Sequence, residues 1–147
     1  NLSLTEIRSR LRKILIKNKT GGLVIIDYLQ LMKSNLKIDN RVQEISYITR
    51  DLKIIAKEFE IPIILLSQLS RNVETRINKR PMLSDLRESG SIEQDADIVI
   101  MIYREDYYNE NQSNTPITEF IVAKHRNGPV GTARLIFDSK TTNFENL

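Results

Sequence analysis

The chain has 147 residues with no cysteine, no tryptophan, one histidine and five glycines. Without cysteine there can be no disulfide, no thiolate-held zinc, no iron–sulfur cluster and no thiol nucleophile. A single histidine excludes a histidine-rich metal site within the chain. No apolar run approaches the ~20 residues that a membrane span needs, so no membrane association is expected. The glycines are Gly21, Gly22, Gly90, Gly128 and Gly131, and none precedes a lysine. The phosphate-cradling pattern G-x-x-x-x-G-K-[ST] is therefore absent, as are a nucleophile elbow, H-E-x-x-H and an EF-hand loop. The opening Asn1-Leu2-Ser3-Leu4 has neither an initiator Met nor a signal-peptide core, so either the Met was removed or the chain is a piece of a longer polypeptide, the reading favoured once the strands and the resemblance below are considered.

The rest of the composition is that of a globular protein, 40% hydrophobic and 28% charged, with 22 basic and 19 acidic side chains. The cations are unevenly placed. Arg8, Arg10, Arg12, Lys13, Lys17 and Lys19 face only Glu6 in the first segment, and Arg71, Arg76, Lys79, Arg80 and Arg87 form a second group. Such runs are commonly solvated faces, and the first is read that way, or as packed against a neighbour.

Apolar spacing predicts a helix from Leu4 to Leu15, capped by Ser3 or Thr5. Leu23 to Ile26 is a continuous apolar run closed by Asp27. A second helix carries the stripe Val42, Ile45, Ile48, Leu52, Ile55, Ala56 and Phe59 and stops at Ile61-Pro62. Ile63 to Leu66 is a second apolar run, followed by Ser67-Gln68. Residues 69–91 read as a long loop with short helical turns, Ile98 to Ile102 as a third strand, and 105–116 as a polar, mobile stretch. Residues 119–124 and 132–138 flank Arg126-Asn127-Gly128-Pro129-Val130-Gly131 as an antiparallel hairpin. Strand, helix, strand with apolar strands predicts an α/β fold: a mostly parallel sheet buried on both faces, flanked by helices and ending in the hairpin. Three strands and a hairpin make a lopsided sheet, so neighbouring strands are expected from outside the chain. Alone, the chain is expected to be marginal or aggregation-prone.

Ligands of open parallel sheets bind beyond the carboxyl ends of the strands, where Asp27 and Gln68 fall. A carboxylate closing an apolar strand is either a Walker B-type group holding Mg²⁺ through its waters or a cap for the following turn. Gln68 is either a phosphate or water partner or a loop hydrogen-bonder. Lys124 and Arg126 sit two apart, as paired cations able to stabilise a transferring phosphoryl group or as guards on an edge strand. His125 reads as a surface or packing residue. The loop from Arg80 to Ser91 can offer arginines and backbone N–H groups to phosphates, or form a subunit contact.

Four strings carry a family resemblance: Gly22-Leu23-Val24-Ile25-Ile26-Asp27-Tyr28-Leu29-Gln30-Leu31-Met32, Leu66-Ser67-Gln68-Leu69-Ser70-Arg71, the stretch from Arg80 to Asp97, and Lys124-His125-Arg126-Asn127-Gly128-Pro129-Val130-Gly131. In order and over nearly the whole chain, they resemble the DnaB-type replicative DNA helicases. The resemblance implies that residues 1–147 are the C-terminal part of a RecA-like ATPase domain, with the Walker A segment and an N-terminal domain upstream. It implies ATP and Mg²⁺ as cofactors and a homo-hexamer around single-stranded DNA that unwinds the replication fork. Primase and a helicase loader are the implied partners, in a bacterial cytoplasm (nucleoid) or a plastid stroma.

The resemblance makes Asp27 the Mg²⁺ carboxylate and Gln68 the sensor between nucleotide and DNA loop. Lys124 and Arg126 become a trans-acting lysine and arginine finger, and Arg87, Glu88 and Gly90 the contacts to DNA. His125 stands where the family commonly has Gln, and the tail from Thr142 to Leu147 follows the family only loosely. The rival reading is a non-catalytic DNA-binding or assembly module that kept this half and lost its phosphate loop. A recombinase-like RecA relative fits the 80–97 string less well.

Overall fold

The computed structural model describes residues 3–18, 21–108 and 116–147. They form two compact units.

The first unit comprises residues 3–70 with 86–96. Helix α1 (Leu4–Asn18) starts with a reciprocal cap: the Glu6 N–H donates to Ser3 Oγ, and the Ser3 N–H donates to Glu6 Oε2 at 2.8 Å. These backbone and side-chain bonds from Ser3 hold the Glu6 carboxyl below its ordinary pKa. Strand β1 (Val24–Ile26) runs into a 3₁₀ turn at Leu29–Leu31. Helix α2 (Arg41–Glu58) is capped by Asn40, whose Oδ1 accepts from the Val42 and Gln43 N–H groups. It ends in a Schellman turn: Ile61 N–H donates to Ala56 O and Glu60 N–H to Lys57 O, with Glu60 at φ 52°. Strand β2 (Ile63–Leu65) then pairs parallel with β1, Ile25 opposite Ile64. The core gathers Leu4, Ile7 and Leu11 from α1, Leu29, and Ile45, Ile48, Leu52 and Ile55 from α2. Two cations of the basic first segment face α2, where Arg8 pairs with Asp51 at 3.3 Å and Arg12 with Glu58 at 3.2 Å. A short helix α3 (Gly90–Asp95) completes the unit.

The second unit comprises Arg71–Asp85 and Asp97–Leu147. Strands β3 (Ile98–Arg104), β4 (Ile117–His125), β5 (Gly131–Asp138) and β6 (Asn143–Asn146) form an antiparallel sheet in sequence order. A bulge between Val99 and Ile100 shifts the β3–β4 register. The loop leading into the sheet is tied down by acids. Asp85, buried, accepts from Arg76 Nη2 at 2.6 Å and from the Met82 N–H at 2.9 Å. Glu119, also buried, pairs with both Arg80 and Arg134.

The paired parallel strands around a helix, the looping 69–91 segment with its short helical turns, and the terminal hairpin all appear. Within this chain the short strands keep apolar surface uncovered, Ile25 being 62% and Ile64 47% exposed, as expected of a sheet whose neighbouring strands lie outside it. Two details differ. The third strand joins the hairpin rather than the parallel pair, burying Val99 and Met101 while Ile98, Ile100 and Ile102 remain exposed. The tail adds β6, which its polar sequence Asn-Phe-Glu-Asn does not announce; Phe144 packs on Phe120 and Phe137 at 5.4 and 5.0 Å between centroids. Of the stretch read as mobile, residues 105–108 form a turn and 109–115 lie outside the described residues.

Candidate functional site

Parallel pairing puts the carboxyl ends of β1 and β2 side by side. The ladder continues past both strands, with Leu66 N–H donating to Ile26 O at 3.0 Å and Leu29 N–H to Leu66 O at 2.9 Å. Asp27 follows β1 directly and is exposed; Gln68 lies three residues beyond β2 and is exposed too. The two predicted residues thus belong to one sheet end, where a ligand would meet an acceptor-only carboxylate and an amide that both donates and accepts.

Two residues that the sequence does not single out support this end. Gln30 Nε2 donates to Ser67 Oγ and to Gln68 O, and Gln30 Oε1 accepts from the Gln68 N–H, each at 3.2 Å. Arg41, the first residue of α2, donates to Gln30 O at 2.9 Å and to Met32 O at 3.1 Å, and it pairs with Glu44. The Ser34 N–H and the Arg41 guanidinium hold the Glu44 carboxyl below its ordinary range. The only sequence signal for Gln30 is a polar residue between Leu29 and Leu31.

The stretch that the resemblance assigns to DNA passes through a 3₁₀ segment, Leu83–Ser89, into α3. Arg87, Glu88 and Gly90 fall at that junction, their side chains outside the described part. Behind it, Thr49 of α2 is 5% exposed, and its Oγ1 donates to Asp95 Oδ2 at 2.7 Å, anchoring the far end of α3. Thr49→Val keeps the shape and leaves the Asp95 carboxylate without that charge-assisted bond. We expect it to lower unfolding stability by ~1–3 kcal/mol. Chemical denaturation of the full-length protein would measure this, and an unchanged midpoint would mean that water replaces the hydroxyl.

Lys124 and Arg126 lie in the second unit. Lys124 is half-buried opposite Val99, and the last β4–β5 pair is Val122 with Gly131. Arg126 continues the β3 side by donating its N–H to Asp97 O at 2.8 Å. Its Nε stands 3.8 Å from Asp97 Oδ1 in a half-exposed pair that adds little stability. His125 behaves as a packing residue. Its Nδ1 lies 3.2 Å from Pro129 O, and its ring covers Gly128, where an added Cβ would approach within 2.3 Å. In the second basic group, Arg76 and Arg80 are engaged by Asp85 and Glu119.

A carboxylate and an amide beyond the carboxyl ends of a parallel strand pair joined through a helix stand where open α/β sheets bind ligands. The family described as DnaB-like helicase C terminal domain matches residues 1–146, and this chain belongs to that family. It is 64% identical over 148 residues to the "Probable replicative DNA helicase" of Trieres chinensis, covering 98% of this chain and 32% of that protein. It is 53% identical over 149 residues to the "Replicative DNA helicase DnaB" of Geobacillus stearothermophilus, covering 100% of this chain and 32% of that one. Among solved structures, one described as an ATPase domain superposes with a TM-score of 0.95 at 51% identity, covering 99% of this chain and 51% of that chain. A DnaB-like replicative helicase, solved in work on its interactions with primase, gives 0.93 at 52% identity, covering 99% of this chain and 35% of that chain. The fold is accordingly the C-terminal part of a RecA-like ATPase fold. The chain spans about a third of the length of the curated relatives it matches.

Proposed function

We propose that this chain is the C-terminal part of the motor domain of a hexameric replicative DNA helicase, which couples ATP hydrolysis to translocation on single-stranded DNA at the replication fork. The observation that carries the reading is the shared sheet end of Asp27 and Gln68 in a chain of this family. The Walker A segment and an N-terminal domain are assigned to the polypeptide upstream. Primase and a loader are the expected partners, in a bacterial cytoplasm or a plastid stroma.

Mg²⁺ binds proteins through one or two carboxylates while keeping several waters, and a single exposed Asp27 suits that outer-sphere role. Among the described residues no cluster of three or more acids, histidines or cysteines competes for it. Bound beside ATP, the ion would neutralise charge on the phosphates. Asp27 supplies the fixed negative charge that orients the ion's waters. Gln68 meets the γ-phosphate end with its amide and carries that contact into the 69–91 loop. Lys124 and Arg126 reach the ATP held by the next subunit and stabilise charge on the transferring group. Arg87, Glu88 and Gly90 meet the DNA backbone.

Mass spectrometry on a size-fractionated extract of the source tests the reading, with peptides from 45–71 and 120–134 as reporters. They are expected at about three times the mass of this chain, from the relatives' proportions. Reporters at the chain's own 17.1 kDa would favour the non-catalytic module. The DNA loop has its own test. Arg87→Ala in the full-length protein should weaken single-stranded DNA binding and reduce the log–log salt slope by about one. An unchanged slope would make Arg87 a subunit contact.

A further inference from the structure

We propose that Gln30 is the residue that positions Gln68, setting the direction in which the sensor side chain leaves the sheet end. The inference rests on the reading of Gln68 as the link between nucleotide and DNA loop. One side chain takes both main-chain polar groups of Gln68: Gln30 Oε1 accepts its N–H and Gln30 Nε2 donates to its C=O. Those bonds orient the peptides on either side of the Gln68 Cα, and with them the Cα–Cβ bond. These two bonds also fix the amide's sense, since a flipped amide would set donor against donor at the Gln68 N–H, and Nε2 makes a third bond to Ser67 Oγ.

Gln30 is itself held. Its carbonyl accepts from Arg41 at the start of α2, and it lies in the 3₁₀ turn that begins two residues after Asp27. A shift of the Asp27 end is thereby passed to Gln68 through a short, hydrogen-bonded route rather than through free loop. Gln30 touches neither ion nor phosphate in this scheme; it acts on Gln68 alone.

The test uses the full-length hexamer and two variants. Gln30→Met keeps the length and removes all three bonds. Gln30→Glu keeps an acceptor for the Gln68 N–H but sets a carboxylate against Gln68 O. Both are expected to cut the stimulation of ATP turnover by single-stranded DNA by about tenfold, the scale of one to two lost hydrogen bonds. Turnover without DNA and the KM for ATP are expected to stay within about threefold, because the proposed nucleotide contacts are intact. Full DNA stimulation in either variant overturns the positioning role. Stimulated and unstimulated rates falling together, with a lowered melting temperature, would also overturn it, because Gln30 would then be only a structural tie. Wild-type protein that shows no DNA-stimulated turnover would fail the helicase reading itself, which separates the two failures.

Discussion

Arg126→Ala in the full-length protein is expected to reduce ATP turnover by about 10³-fold or more while leaving nucleotide binding intact, the signature of an arginine supplied to a neighbour's reaction. The side chain is suited to this. It stands just past the end of β4, half-exposed, and its Nε lies 3.8 Å from Asp97 Oδ1 in an exposed pair. Its main-chain N–H donates to Asp97 O, which anchors the base of the side chain at the end of the strand. Steady-state turnover and binding of a fluorescent ATP analogue make the comparison. Mixing Arg126→Ala subunits with Asp27→Asn subunits should restore turnover at mixed interfaces, an outcome a cis-acting residue cannot give. Retained turnover in the pure variant would remove the finger assignment.

Asp27→Asn is expected to lower turnover by about 10²-fold or more across a Mg²⁺ titration, since the charge stabilisation a bound ion supplies is worth several kcal/mol. The substitution keeps the size of the side chain and one acceptor oxygen while removing the charge, so β1 and its pairing with β2 should survive, and circular dichroism should be unchanged. Nucleotide affinity without Mg²⁺ should move little. A loss of only a few-fold would return Asp27 to the capping role that its position equally permits.

The sequence shows some of this plainly and some of it not at all. Asp27 and Gln68 are legible because each follows a short apolar run, and strand ends are where parallel sheets bind ligands. The roles of Lys124, Arg126, Arg87, Glu88 and Gly90 rest on resemblance, because paired cations and loop arginines occur on many surfaces. Gln30 is invisible because its partners lie 37 and 38 residues away and a three-residue 3₁₀ turn has no periodicity to betray it. Thr49 hides for another reason. It occupies a core position of α2, where a hydroxyl reads as a β-branched filler until Asp95 is seen beside it. The second basic group misleads by composition alone, since Arg76 is held by Asp85 of the same loop and Arg80 by Glu119, 39 residues away.

The end of β4 has a consequence for motion. The ladder with β5 stops at Val122, and from there the strand's pairing continues on the β3 side, through Val99, Ile98 and Asp97. Opening that tip breaks one column of ladder hydrogen bonds instead of two, so its amide protons should exchange with solvent earlier than those from Thr118 to Val122. Past Val122 the main chain that carries Lys124 and Arg126 is therefore paired along one side, unlike the rest of β4.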